Sequence, residues 1–412
     1  MIKLNITAIF ALFLLSSCRA EEVVYAPLFD CSKRLIEPYG IVAHISRVGE
    51  KYEYDTIEKG LDTIQSIGIS YIRADFDWAT FRTSYNNDSL NFERFDKMMN
   101  SLSNRKMNFL AIITNTDNAR YPAWLNHTNL LVKRYVNSVH YWEMINEADL
   151  AYTRIANYGS KDYMRLLKAG YNIVKQSDRQ GKVLYTGLNA VSSRSFMEET
   201  FKLGASSFFD IMNVHFYTVH KEPEVLIDYY NELKRKLENY NIRKSVWMTE
   251  TGYPTKGDDS VSPEVQALRL PRTFLISFAC GVDKVFWYNS RASELNDYDR
   301  ECHFGILHKD YSPKPAYYAY KTLVKMCPNK STRPVLSKKD GLYQAKWKRN
   351  DGKIIIGIWT STGNKSILVQ SKNKYKCYNV LGKEVFLDDD RALASPTILY
   401  VVCDKDIKIL LD

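Results

Sequence analysis

Tyr141-Trp142-Glu143-Met144-Ile145-Asn146-Glu147 is an apolar, strand-like run that stops abruptly at an amide and a carboxylate. About a hundred residues further on, Ser245-Val246-Trp247-Met248-Thr249-Glu250 makes the same transition and runs into Thr251-Gly252-Tyr253-Pro254. An ionisable side chain at the end of a buried strand is costly unless it has a partner or a task. Two such ends, each supplying a carboxyl group, can divide acid and base duties between them.

On either side of these runs the chain repeats one rhythm. Tyr39 to Ile45 reads as a strand, Asp55 to Ile67 as an amphipathic helix ended by Gly68, and Ile69 to Asp75 as a second strand. Further apolar strands fall at Met107 to Thr114, Tyr141 to Asn146, Lys182 to Leu188, Asp210 to Phe216, Ser245 to Thr249 and Val282 to Trp287. The helical stretches between and after them are Phe92 to Arg105, Leu130 to Ser138, Lys161 to Gln176, Ser195 to Leu203, Val225 to Asn239, Pro263 to Cys280 and Pro315 to Lys325. Eight alternations fit an α/β fold of either kind, an open doubly wound sheet or a (β/α)8 TIM barrel. An open sheet often carries a Gly-rich first turn, and here that turn is Ala43-His44-Ile45-Ser46. Polar and aromatic residues instead recur at strand ends: His44, Arg73 and Asp75, Asn146 and Glu147, His215 and Tyr217, Glu250, and Trp287. In a barrel these ends converge on one mouth, the face where such folds do their chemistry.

From about Val335 the pattern changes to short strands at Leu342 to Lys348, Lys353 to Trp359, Ser366 to Val369, Tyr375 to Val380, Lys383 to Phe386 and Thr397 to Cys403. Asn350-Asp351-Gly352, Thr362-Gly363-Asn364 and Leu381-Gly382 supply the turns, and the whole reads as a small antiparallel β-sandwich. The expected organisation is a signal segment over residues 1–18, a leader over 19–37, a barrel over 38–330 and the sandwich over 331–412. Glu22-Val23-Val24-Tyr25 in the leader is apolar enough to add a strand to the sandwich. No low-complexity linker separates the two domains, so they are expected to pack together.

The 412 residues are 45% hydrophobic and 25% charged, ordinary globular composition. The net charge of +10 is spread along the chain without a basic stripe, which argues against a nucleic-acid partner and leaves acidic glycans as an alternative to a merely solvated surface. Met1-Ile2-Lys3, the apolar run Ile6 to Leu15 and Leu15-Ser16-Ser17-Cys18 resemble a bacterial lipoprotein signal. That resemblance implies export, cleavage before Cys18, a lipid on its thiol and anchoring to a bacterial membrane, the outer one in first place. Cys31, Cys280, Cys302, Cys327, Cys377 and Cys403 show no CxxC spacing. They are open to disulfide formation in an exported chain, with Cys377 and Cys403 the pair the last strands favour, or to remaining buried thiols. No cofactor is expected, and no His/Cys cluster points to a metal.

The Asn146-Glu147 strand end, Glu250 about a hundred residues later, the His215-x-Tyr217 between them and the Trp287 after them resemble clan A glycoside hydrolases, the 4/7 superfamily. Trp142-Glu143-x-x-Asn146-Glu147 and the segment from Gly305-Ile306-Leu307 to Lys314-Pro315-Ala316-Tyr317 are similar to family thirty-nine. The likeness covers about residues 38 to 327. Ala148-Asp149 follows Glu147 where that family usually has Pro, a departure that bears on subfamily and substrate more than on mechanism.

What the resemblance implies is retaining hydrolysis of an oligo- or polysaccharide, with Glu147 as general acid/base and Glu250 as nucleophile, their carboxyl groups about 5 Å apart. Asn146 would bind the sugar 2-hydroxyl and Trp287 would offer a platform to a sugar face. Arg73 with His215 or Tyr217 would keep Glu250 ionised, while burial and its negative neighbour would favour a protonated Glu147. His44 and Asp75 complete the expected sugar-binding set, and Glu143, within its strand, is expected lower in the barrel beside Arg73. The rival reading is a non-catalytic glycan-binding lipoprotein on the same scaffold. The protein is expected to be a monomer.

Overall fold

A computed structural model describes residues 22–29, 31–46, 57–76, 82–84, 87–90, 92–114, 121–150, 159–189, 194–218, 220–405 and 407–412. The signal segment with Cys18 and the expected helix start at Asp55 lie outside these residues. The eight barrel strands are Tyr39–Val42, Tyr71–Phe76, Asn108–Ile113, Tyr141–Met144, Lys182–Leu184 with its continuation Leu188–Asn189, Ile211–His215, Ser245–Thr251 and Lys284–Trp287. Each pairs in parallel with the next, and the eighth returns to the first through Val285 opposite Tyr39, which closes the barrel. The sequence's alternations therefore resolve in favour of the TIM barrel.

Strand pleating sorts the side chains into two layers. Tyr71, Leu110, Leu184, Ile211, Trp247 and Phe286 point inward and pack into a dry floor. Their outward neighbours, such as Ile72, Ala111, Trp142 and Val285, join the larger core under the helices. Lys284 plugs the bottom of this floor: its ammonium lies 4.3 Å from the centre of the Tyr71 ring and donates to the carbonyls of Ile36 and Glu37, both at 2.9 Å. Arg73 and Glu143 stand one inward step above Tyr71 and Tyr141, so the polar layer begins directly over an apolar one.

The helix after the third strand runs over Tyr121–Tyr135, starting nine residues before the expected Leu130. Pro122 is tolerated in a first helical turn, where its missing N–H costs no helical bond. The run Asn126-His127-Thr128-Asn129 looks like a loop by composition, yet His127 and Thr128 are buried. A short hairpin, Arg82–Ser84 with Asn87–Leu90, follows the second strand without a clear periodic signal.

Beyond the barrel, a seven-stranded antiparallel sheet faces a three-stranded one. Strand Ile354–Thr360 shows the logic: Ile356 and Ile358 face the small sheet, whereas Ile355 and Trp359 face the barrel. Helix Pro263–Ala279 is wedged between barrel and sandwich, and every residue from Leu270 to Ala279 is buried. Trp359 Nε1 donates to Glu224 at 2.7 Å and Trp347 Nε1 to the Met326 carbonyl at 2.8 Å, tying the two domains through a part-buried and a buried polar contact. Strand Val23–Tyr25 pairs antiparallel with Val335–Lys339, so the leader does join the sandwich sheet.

Three sandwich strands escape the sequence reading, Val335–Lys339, Arg391–Ala394 and Lys408–Leu411. Each is short and lacks the β-branched density that marks a strand locally. The six cysteines outside the signal segment are free thiols. The expected pairing of Cys377 with Cys403 fails on register, since Cys377 stands opposite Val401 and Cys403 opposite Tyr375.

Candidate active site

Arg73, fully buried on the second strand, organises the mouth. Its Nε and Nη2 hold Glu143 in a bidentate pair at 2.7 and 2.9 Å, its Nη2 also reaches Asn146 Oδ1 at 2.7 Å, and its Nη1 reaches Glu250 Oε1 at 2.5 Å. Burial alone would pull this guanidinium's pKa down, but Glu143 and Glu250 outweigh it and raise the value. One permanent cation thus neutralises a structural carboxylate below and fixes a second one above. Glu143 is the structural member, and it also accepts from the Gly187 amide at 3.2 Å.

Glu147 and Glu250 reach the mouth by departures from regular strand. In the fourth strand alternation would continue from Glu143 to Ile145, but Ile145 has φ 68° and Glu147 φ 46°. Left-handed backbone at a β-branched residue is strained and persists only where the surroundings enforce it. Here it sends Ile145 into the core and leaves Asn146 and Glu147 lining the cavity. In the seventh strand Trp247 and Thr249 already face inward, so strict alternation would turn Glu250 away. A register shift places His215 opposite Glu250, one position later than the preceding pairs, and such an irregularity re-aims a side chain.

His215 and Tyr217, from the end of the sixth strand, bridge the two acids. His215 Nδ1 lies 2.9 Å from Glu147 Oε1 and 3.6 Å from Glu250 Oε2, while Tyr217 donates its hydroxyl to Glu250 Oε2 at 2.6 Å. Burial works to raise the Glu250 carboxyl, but His215 and Arg73, with hydrogen bonds from Tyr217 and Arg73, bring it down to about 2. Burial opposes protonation of His215; the negative charge of Glu250 and the hydrogen bond to Glu147 prevail and raise it. Glu147, His215 and Glu250 each offer an atom within 4.8 Å of the others. That spacing is compatible with a metal ion, yet the guanidinium against Glu250 already supplies the positive charge there.

The cavity over these groups has a volume of about 480 Å³, within the range of small-molecule sites. His44, Arg73, Asp75, Asn146, Glu147, Tyr217 and Glu250, all anticipated from strand ends, line it together. Trp287 does not. It is fully buried, 5.9 Å from the Tyr253 ring and 6.4 Å from that of Phe274, on the outward face of the eighth strand. Phe286 packs in the floor, so parity brings Tyr288 to the mouth, and Tyr288 is the ring that lines the cavity. Counting pleats from Lys284 would have found it. Arg300, Glu301 and Phe304 also line the cavity. They arrive from the long connection after the eighth strand, where no periodicity marks them; Glu301 accepts from the Tyr288 hydroxyl at 3.3 Å.

No protein-family model and no curated protein sequence matches the chain. Solved structures do match in three dimensions. A family 39 glycoside hydrolase from the gut symbiont Bacteroides cellulosilyticus WH2 is similar with a TM-score of 0.74 at 20% identity, over 92% of this chain and 83% of that one. A GH39 β-xylosidase from Caulobacter crescentus gives 0.63 at 12% identity, over 93% of this chain and 99% of that one. A GH30 endoxylanase from Clostridium papyrosolvens C71 gives 0.60 at 12% identity, over 93% of this chain and all (100%) of that one. At these identities the shared property is the fold, a barrel with its β-domain.

Proposed function

We propose that the protein is a retaining glycoside hydrolase that cleaves glycosidic bonds of an oligo- or polysaccharide through a covalent glycosyl-enzyme. The observation that carries this reading is the pair Glu147 and Glu250, from the fourth and seventh strand ends, with carboxylate oxygens within 4.8 Å of each other in different electrostatic settings. Retaining enzymes set their two carboxyl groups about 5–5.5 Å apart, too close for a water to stand between acid and base as inversion requires.

Glu250, held ionised by Arg73, Tyr217 and His215, attacks the anomeric carbon. The bond to the leaving oxygen breaks as Glu147 delivers a proton to that oxygen. Water then attacks the same carbon, Glu147 takes its proton, and the ester bond to Glu250 breaks. Asn146 Oδ1 is occupied by Arg73, which leaves its amide N–H groups for a sugar hydroxyl. Tyr288 and Phe304, in place of Trp287, provide aromatic surface for a sugar face. The likeness to glycoside hydrolases of families 39 and 30 supports the assignment at the level of fold.

Azide rescue tests the two roles. On an activated aryl glycoside, Glu147→Ala should accumulate a glycosyl-enzyme, and azide should restore turnover with a glycosyl azide of retained configuration. Glu250→Ala with azide should give the inverted product. Swapped configurations would reverse the roles, and undiminished hydrolysis in both variants would place the chemistry elsewhere.

Export and attachment through a lipid on Cys18 belong to the same proposal and rest on the sequence. Among the described residues no helix is long and apolar enough to cross a membrane. Cys18→Ala should release the protein from the membrane fraction; unchanged fractionation would refute the anchor.

A further inference from the structure

The sandwich carries a second groove, of about 770 Å³, that shares no lining residue with the barrel cavity. It runs along the free edge of the seven-stranded sheet, where the two-residue strand Glu384–Val385 is the last member, and meets the end of helix Pro315–Met326 at Lys325 and Met326. Its lining contains six cations, Lys325, Arg349, Lys353, Lys372, Lys374 and Lys376, against three carboxylates, Glu384, Asp390 and Asp404.

Some of that charge is spent internally. Lys376 pairs with Glu384 at 3.1 Å, Lys353 with Asp404 at 3.3 Å, and Arg349 with Asp351. Lys325 sits 5.9 Å over the Tyr378 ring, and Lys372 and Lys374 have no carboxylate partner among the described residues. Phe386, also in the lining, is 88% exposed. An exposed phenyl ring in the wall of a groove presents a flat apolar face that a stacking partner can cover.

We propose that this groove is an accessory binding site for a polysaccharide bearing carboxylate or sulfate groups. The open Phe386 ring offers a face to the C–H surfaces of sugar rings, with the half-buried Tyr378 also in the lining. The free lysines meet the acidic substituents, and Glu384 and Asp404 accept from hydroxyls. Those same carboxylates find no hydroxyl donor along a duplex DNA backbone, and anionic lipid, which can carry hydroxyls, is separated by the vesicle arm of the test below. The inference rests on the glycosidase reading only for its sense, since a site of this kind would hold a polymer near the barrel; the binding itself is independent of catalysis.

The test uses the full chain carrying Glu250→Gln, so that bound polymer is not consumed, in calorimetry and affinity electrophoresis with polygalacturonate, chondroitin sulfate, neutral xylan, phosphatidylglycerol vesicles and duplex DNA. We expect binding to one or both acidic glycans that weakens as salt is raised. Phe386→Ala and the double change Lys372→Glu with Lys374→Glu should each weaken it at least tenfold, and Phe386→Trp should keep it. In the otherwise native enzyme the same changes should leave hydrolysis of a small aryl glycoside unchanged. Absence of acidic-glycan binding, binding indifferent to these substitutions, or tighter binding to vesicles or DNA would overturn the proposal. Each of those outcomes with aryl-glycoside hydrolysis intact would leave the barrel's assignment standing; glycan binding without any hydrolysis would do the reverse.

Discussion

His215 Nδ1 lies 2.9 Å from Oε1 of Glu147, so the proposed acid/base shares its hydrogen bond with a titrating imidazole. The other ring nitrogen, Nε2, is 3.0 Å from Thr249 Oγ1, and that hydroxyl donates to Asn213 Oδ1 at 2.6 Å. Thr249 therefore accepts from Nε2–H, and Nδ1 is the position at which the proton comes and goes. The third group near Nε2, Arg73 Nη2 at 3.4 Å, spends its hydrogens on Glu143 and Asn146.

The pH dependence follows from the sign of the His215 shift. Burial lowers its pKa, Glu250 and Glu147 raise it by more, and the folded value stands above the ordinary 6.5. Its contribution to stability is fully present below the unfolded value and is lost as pH rises through the folded one. In urea unfolding, the stability difference between wild type and His215→Gln should shrink from pH 6 to pH 9. The alkaline limb of kcat/KM should shift in the same variant; matching profiles for the two proteins would remove His215 from the proton inventory.

Tyr217→Phe deletes one of the donors that keep Glu250 near 2. A hydrogen bond to a charged group contributes about 1.5–3 kcal/mol, so kcat/KM should fall about ten- to a hundredfold. Because the carboxyl's pKa rises when a stabilising donor is lost, the acid limb of kcat/KM should move to higher pH. A rate loss with an unmoved acid limb would mean that Tyr217 binds sugar and does not tune Glu250.

Gly187→Ala should damage the site without touching a charged residue. A Cβ at Gly187 would stand 2.0 Å from His215 Nε2, and the imidazole, locked by Thr249 and Glu147, has nowhere to go. Displacement of a positioning group by about 1 Å can cost about a hundredfold in rate, and overpacking typically costs about 1–3 kcal/mol. Steady-state kinetics and thermal unfolding of the variant would check both, and near-native values in each would show that the ring is less constrained than its contacts imply.

Lys284→Met tests the barrel floor. Burial pulls the Lys284 ammonium down from 10.5 to about 8, against the opposing pull of Glu37 and Asp283. The unfolded chain then binds the extra proton between about pH 8 and 10.5, so this lysine's contribution to stability improves as pH rises through that window. The wild type should gain about 1–3 kcal/mol relative to the variant between pH 8 and 10. A difference independent of pH would mean that the ring faces and carbonyls around Lys284 fully replace its hydration.

Local periodicity was enough to determine the eight strand–helix alternations, the antiparallel end of the chain, and the strand ends that carry Arg73, Asn146, Glu147, His215, Tyr217 and Glu250. Pleat parity and amphipathic spacing belong to a short stretch of chain and survive in any environment that buries one face. Tertiary structure alone decided where the pattern breaks. Left-handed backbone at Ile145 and Glu147, and the register shift that turns Glu250 inward, arise only when neighbouring strands close into a ring. Closure also sends Trp287 outward against Phe274 and Tyr288 to the mouth, and folds the connection bearing Arg300, Glu301 and Phe304 over the cavity. Thiols as close in sequence pattern as Cys377 and Cys403 stay apart because strand register, set by pairing between distant segments, leaves them diagonal. The chain encodes each element nearby, but the direction in which a side chain finally points depends on partners that lie outside its own element, from about a dozen residues away, as Phe274 is from Trp287, to far across the chain.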